Sequence, residues 1–140
     1  MRKIKIKLFE NGRMPVYKTA GASCADCFAN KSVLIKKGER ELVPLGFGLE
    51  LPKNYEAVIR PRSGLSKNKI DVIIGTIDCD YRNEISANVV NNSEADILVK
   101  MGDRICQLKI QKANQFQFEV VNKLSETERG LKGFGSTGLQ

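Results

Sequence analysis

Along most of this chain, apolar residues recur at every second position in short runs that end in Gly, Pro, Asn or Asp. Lys3-Ile4-Lys5-Ile6-Lys7-Leu8 alternates, as do Phe47, Leu49 and Leu51 and the run Ile85-Ser86-Ala87-Asn88-Val89-Val90. A period of two is that of a half-buried strand, because successive side chains leave opposite faces. Turn-rich segments fall at residues 10–15, 36–39, 52–54, 91–96 and 100–103. This spacing leaves room for at most one or two short helices and predicts an all-β barrel or sandwich. With 140 residues the chain suits one domain with a single core. A body over residues 1–124 and a tail over 125–140 are expected. Four of the twelve glycines lie in the last eleven residues, so the tail is expected to be flexible in isolation.

Lys and Arg number 23 against 16 Asp and Glu, a net charge of +7. That balance suits an anionic partner, or simply a basic, soluble surface, since the lysines are spread along the chain. No apolar run approaches the roughly 20 residues of a membrane span. The N-terminus lacks a signal-peptide core, so a cytoplasmic location is expected. Cys24, Cys27, Cys79 and Cys106 include a CxxC pair, but there is no His. Either the four gather at a zinc ion, or each is a small buried residue in a reducing compartment. Without His, Ser-His and Cys-His nucleophile pairs are excluded. Acid-base chemistry here must use carboxylates, Lys, Tyr or a metal-bound water.

The central stretch runs from Gly75 through Asp78, Asp80 and Tyr81 to Ile85, with Val72-Ile73-Ile74 leading in. It reads as a hairpin, with Arg82-Asn83 at the reversal and Asn able to take a left-handed backbone. The acids and Tyr81 at its mouth are either catalytic or a solvated turn. Asp26 lies in an otherwise uncharged stretch and needs an Arg, a backbone N–H or a metal-bound water, unless it caps a turn. Arg62-Ser63-Gly64 opens a short helix, either an anion pocket or an ordinary cap. Gln115–Val120 alternates like a strand, with Phe116 and Phe118 either stacking on a base or packing in the core.

Taken together, five ordered segments resemble the motifs of the trimeric dUTPases over nearly the whole chain. They are Ala22-Ser23-Cys24-Ala25-Asp26, Pro61-Arg62-Ser63-Gly64-Leu65-Ser66, Gly75-Thr76-Ile77-Asp78-Cys79-Asp80-Tyr81-Arg82, Gly102-Asp103-Arg104-Ile105-Cys106-Gln107-Leu108, and Arg129-Gly130 with Gly133-Phe134-Gly135-Ser136-Thr137-Gly138. The resemblance implies a jelly-roll-like β fold and a homotrimer whose sites lie at subunit boundaries. It also implies Mg2+-dependent cleavage of dUTP to dUMP and pyrophosphate. Carried onto this sequence, Asp78 is the general base for the attacking water. Tyr81 lies against the deoxyribose, and backbone groups from Ile73 and Ile74 through Gly75 and Ile77 to Tyr81 hold uracil. Arg62, Ser63 and Gly64 hold phosphate from a neighbouring subunit, and Gln107 holds it from the far side. Asp26 meets Mg2+ through water. Arg129, Gly135, Ser136 and Thr137 close the tail of another subunit over the phosphates, with Phe134 stacked on uracil.

There are departures from the pattern. Asn83 stands where the family usually has Gly and is expected to tolerate a positive φ. Leu131 and Lys132 replace a smaller pair, and Lys132 either adds phosphate affinity or faces solvent. The four Cys replace small or apolar residues, which puts thiols near the site. Three rivals remain open: a deaminase of dCTP, expected to carry a second Ser after Arg-Ser; a non-catalytic nucleotide switch; and a basic barrel for nucleic acid, against which the dispersed lysines argue.

Overall fold

A computed structural model describes residues 1–133 and Gly135. The expectations for Phe134, Ser136 and Thr137 lie outside the described residues. Eleven strands and one short helix follow in order. The first six strands are β1 (Lys5–Leu8), β2 (Ala25–Phe28), β3 (Val33–Ile35), β4 (Arg40–Pro44), β5 (Phe47–Glu50) and β6 (Tyr55–Arg60). Then come α1 (Ser63–Lys67), β7 (Ile70–Ile73), β8 (Gly75–Ile77), β9 (Ser86–Asn91), β10 (Ile97–Val99) and β11 (Arg104–Lys112).

The strands form a four-stranded sheet β2-β11-β6-β8, a three-stranded sheet β4-β9-β7, and the pairs β1-β5 and β10-β3. Every strand pairing is antiparallel. The result is the expected jelly-roll-like, nearly all-β fold, although among the described residues the sheets do not close into a barrel. The inward faces supply one core, centred on Phe47, Ile35, Leu45, Ile59, Val43 and Val89. Each is a branched or aromatic side chain, at an inward strand position or, for Leu45, in the link between β4 and β5, and each is fully buried. Cys27 and Cys106 are buried in the same core as free thiols. No helix among the described residues is long and apolar enough to cross a membrane.

Four local expectations are corrected. The central stretch is not a simple hairpin. β7 pairs with β9, but after Ile74 the chain leaves that sheet and β8 pairs with β6 instead. Two exposed residues, Ile73 and Ile74, mark this crossing. Second, Asn83 does not take a positive φ. Among non-glycine residues Asn11, Asn54 and Lys69 do, and the Asn83 Oδ1 instead accepts the Glu84 N–H at 2.7 Å. Third, the every-second-residue alternation breaks in β11. A bulge at Ile105 lets two β11 steps oppose one step of β2, and Ile105 and Cys106 are both buried.

Fourth, Gln115–Val120 is neither a strand nor core. The segment pairs with nothing among the described residues, and Phe116, Phe118 and Val120 are 77%, 95% and 97% exposed. An alternating pattern codes for a strand only where a free sheet edge is in reach. Here the last strand ends at Lys112 and the chain runs on without joining any of the sheets.

Candidate active site

The crossing at Ile74 builds the first half of the site. It makes β8 the edge strand of its sheet, bonded to β6 on one side only. The N–H and C=O groups on its other edge are therefore available to a ligand. Beside them opens a cavity of about 370 Å³ whose walls include Gly75, Thr76, Ile77, Asp78, Tyr81 and Glu84. Four of these, Gly75, Ile77, Asp78 and Tyr81, are among the expected site residues, whereas Ile73 and Ile74 are not part of the walls. A methyl group on Gly75 would meet no atom within 4 Å. Packing among the described residues thus gives no reason for glycine there.

Asp78 caps the turn through its carbonyl, which accepts the Tyr81 N–H at 3.1 Å. Its carboxylate is exposed and has no hydrogen bond or ion pair among the described residues. Tyr81 is 43% exposed, and its hydroxyl donates to the Glu84 carbonyl at 3.1 Å. That bond fixes the ring at the cavity wall.

The second half lies where β2, β11 and β6 run side by side. Asp26 and Gln107 are cross-strand partners, and Gln107 in turn faces Arg60. The Gln107 Nε2 donates to the Pro61 carbonyl at 2.9 Å, which leaves its second N–H free. Asp26 is half-buried, its side chain 14% exposed, between two cations: Arg62 Nε at 3.8 Å and Arg104 Nη1 at 3.6 Å. Both distances exceed a direct hydrogen bond, so the carboxylate retains acceptor capacity. The Arg62 Nη1 also donates to the Arg104 carbonyl at 2.9 Å, locking the two arginines together.

Arg62 stands just ahead of α1. Its carbonyl accepts the Leu65 and Ser66 N–H groups, and those of Ser63 and Gly64 have no intrahelical acceptor. Nothing within 4 Å would meet a methyl on Gly64 either. Arg62 and Arg104 line a separate cavity of about 530 Å³, distinct from the one holding Asp78. Arg129 sits in a local turn, its Nε donating to the Lys132 carbonyl at 2.8 Å.

The sequence pattern assigned no role to Arg104, Arg13 or Glu84. Arg13 lies 3.8 Å and Arg104 5.7 Å from the centre of the Phe28 ring, next to Asp26. The only sequence signal for Arg104 was its place in Gly102–Gln107; its direction depends on the bulge. Among the described residues, no group of three or more Cys, Asp or Glu gathers to hold a metal ion.

A family model described as dUTPase matches residues 10–138. The deoxyuridine 5'-triphosphate nucleotidohydrolase of Finegoldia magna is 44% identical over 141 residues, covering 97% of this chain and 99% of that protein. A dUTPase mutant of Staphylococcus bacteriophage 80alpha, solved with dUpNHpp, superposes with a TM-score of 0.94 at 22% identity, over 99% of this chain and 100% of that one. A dUTPase mutant from phage phi11 of S. aureus, described with a structural Mg(II) ion, superposes at 0.82 and 20% identity, over 87% and 98%. The family model spans all five motifs, from Asp26 to the tail glycines, and on that match the chain belongs to the dUTPase family.

Proposed function

We propose that this chain is a magnesium-dependent dUTP diphosphatase, cleaving dUTP to dUMP and pyrophosphate, supplying dUMP and keeping uracil out of DNA. The observation that carries this reading is the cavity where the free edge of β8, the Asp78 carboxylate and the Tyr81 ring meet. A strand edge presents donors and acceptors in a fixed order, which suits the edge of uracil. Cytosine presents the reverse order at its exocyclic position and would leave buried groups unpaired. The thymine methyl would crowd the same slot. Tyr81, tethered at its hydroxyl, occupies the space a 2′-hydroxyl would need.

Asp78 orients the water and takes its proton as the water attacks the α-phosphorus. A lone carboxylate is a weak base for this step. The cationic groups of the second half must therefore stabilise the charge that develops on phosphate. Arg62 with the free N–H groups of Ser63 and Gly64, together with the free N–H of Gln107, are the donors for it. Asp26 fits Mg2+ bound through water: it is one carboxylate among cations, with acceptor capacity left, and not a cage of acids. When bound, the ion neutralises triphosphate charge.

Asp78 and Arg62 line different cavities of one chain, which supports a site completed between subunits of a homotrimer. The exposed apolar arm at Phe116 and Phe118 supports the same assembly. The tail, with Arg129, Phe134, Gly135, Ser136 and Thr137, closes over the bound nucleotide of another subunit. Turnover of dUTP in heavy-oxygen water tests the chemistry. Label in dUMP and none in pyrophosphate is the expected result, and label in pyrophosphate would mean attack at another phosphorus.

A further inference from the structure

Glu84 belongs to none of the roles above, yet among the described residues its side chain alone hydrogen-bonds the Tyr81 turn to the body. Its Oε2 accepts two hydrogen bonds, from Gly46 N–H at 2.9 Å and Asn30 Nδ2 at 3.0 Å. Its main-chain carbonyl accepts the Tyr81 hydroxyl. The other side-chain hydrogen bonds of the turn stay inside it: Arg82 Nη1 reaches the carbonyls of Cys79 and Tyr81, and Asn83 Oδ1 the Glu84 N–H.

The receiving side cannot shift. Gly46 has φ +76°, and a methyl on it would lie 2.5 Å from the Gly12 Cα and 2.8 Å from the Asn30 Cβ. Its carbonyl is held by the Phe9 N–H at 2.9 Å, and the Asn30 N–H is held by the Pro44 carbonyl at 3.0 Å. The next residue continues the tie, since the Ile85 N–H donates to the Phe47 carbonyl and the Leu45 N–H to the Ile85 carbonyl, both at 2.9 Å.

We propose that Glu84 is the positioning residue for sugar discrimination: its carboxylate pins the turn to the Gly46 corner and so holds Tyr81 where a 2′-hydroxyl would clash. The inference rests on the reading of Tyr81 given above. Both hydrogen bonds go to one oxygen, so an acceptor is required and a charge is not. An amide oxygen in the same place serves equally. Alanine instead leaves the Gly46 N–H and the Asn30 Nδ2 without that acceptor and frees the turn.

The test compares kcat/KM for dUTP and UTP. Glu84→Ala is expected to lower the preference for dUTP by about tenfold, and Glu84→Gln to restore most of it. A loss of fold stability alone would lower both substrates together and leave the ratio unchanged, which would overturn the proposal. Tyr81→Ala separates the two layers. If it leaves the ratio unchanged, the reading of Tyr81 fails and Glu84 falls with it. If it relaxes the ratio while Glu84→Ala does not, only the Glu84 proposal fails. Should Glu84→Ala not fold, Asn30→Ala decides: a fall of about threefold supports the tie, and no change overturns it.

Discussion

Arg104 and Gln107 lie three residues apart on β11, yet both belong to the face that carries Asp26. Strand geometry alone puts residues an odd number apart on opposite faces. The bulge at Ile105 inserts the extra step that returns Arg104 to the Asp26 face. There it flanks Asp26 and the Phe28 ring. Arg104→Ala is expected to lower kcat/KM for dUTP about tenfold with little change in thermal midpoint, because the side chain is partly exposed. Arg104→Lys recovers less than half the loss, since an ammonium does not reproduce a planar group beside a ring. Steady-state kinetics and a melting curve on the same samples check both.

Gly75 faces open space at the cavity wall. Gly75→Ala is therefore expected to fold with an unchanged melting temperature and to lose about a hundredfold in kcat/KM, mostly through KM. A lowered melting temperature with normal turnover would mean the glycine serves packing.

Phe116 and Phe118 are largely exposed among the described residues. The double change Phe116→Ser, Phe118→Ser should leave the β-sheet signal in circular dichroism intact. It should convert a trimer into a monomer by light scattering and abolish turnover, because neither cavity holds both Asp78 and Arg62. A trimer that persists would assign the arm elsewhere.

The neighbouring Cys106 thiol, together with burial, pushes the Cys27 thiol far above the ordinary cysteine range. In the unfolded chain that thiol titrates near about 8.5. Above that pH the unfolded state releases a proton that the native state keeps. The native state then binds more protons, so its stability falls as pH rises, by up to about 1.4 kcal/mol per pH unit for the one group. Below pH 8 the contribution is complete. Urea unfolding between pH 8 and 10 should show a steeper loss in the natural protein than in Cys27→Ala. Equal slopes would contradict it. Alkylation should also label half-buried Cys24 and Cys79 well before Cys27 and Cys106.

Local pattern was enough to read what depends on one strand at a time. The alternation at Phe47, Leu49 and Leu51, the short helix after Arg62 and the burial of Cys27 and Cys106 all follow from residue type and period. What escaped depends on partners. Ile73 and Ile74 look like the middle of one strand, and only the choice between β9 and β6 breaks that strand in two. The Ile105 bulge leaves no mark in composition, because Ile and Cys suit either face. Gln115–Val120 has a strand's pattern but pairs with no strand among the described residues. Asn83 is a residue that tolerates positive φ, yet its side chain caps Glu84 instead, while Lys69 takes φ +64° with no sequence signal. Asp78, Tyr81 and Arg62 were legible as motif residues, whereas the places of Glu84 and Arg104 are set by folded geometry.

The most direct test of the central claim is product analysis with Mg2+ and dUTP, UTP, dTTP or dCTP supplied separately, for the natural chain and for Asp78→Asn. The account predicts dUMP and pyrophosphate from dUTP alone, with kcat in Asp78→Asn lower by on the order of a thousandfold and dUTP still bound. Deamination of dCTP, or full turnover in Asp78→Asn, would contradict it.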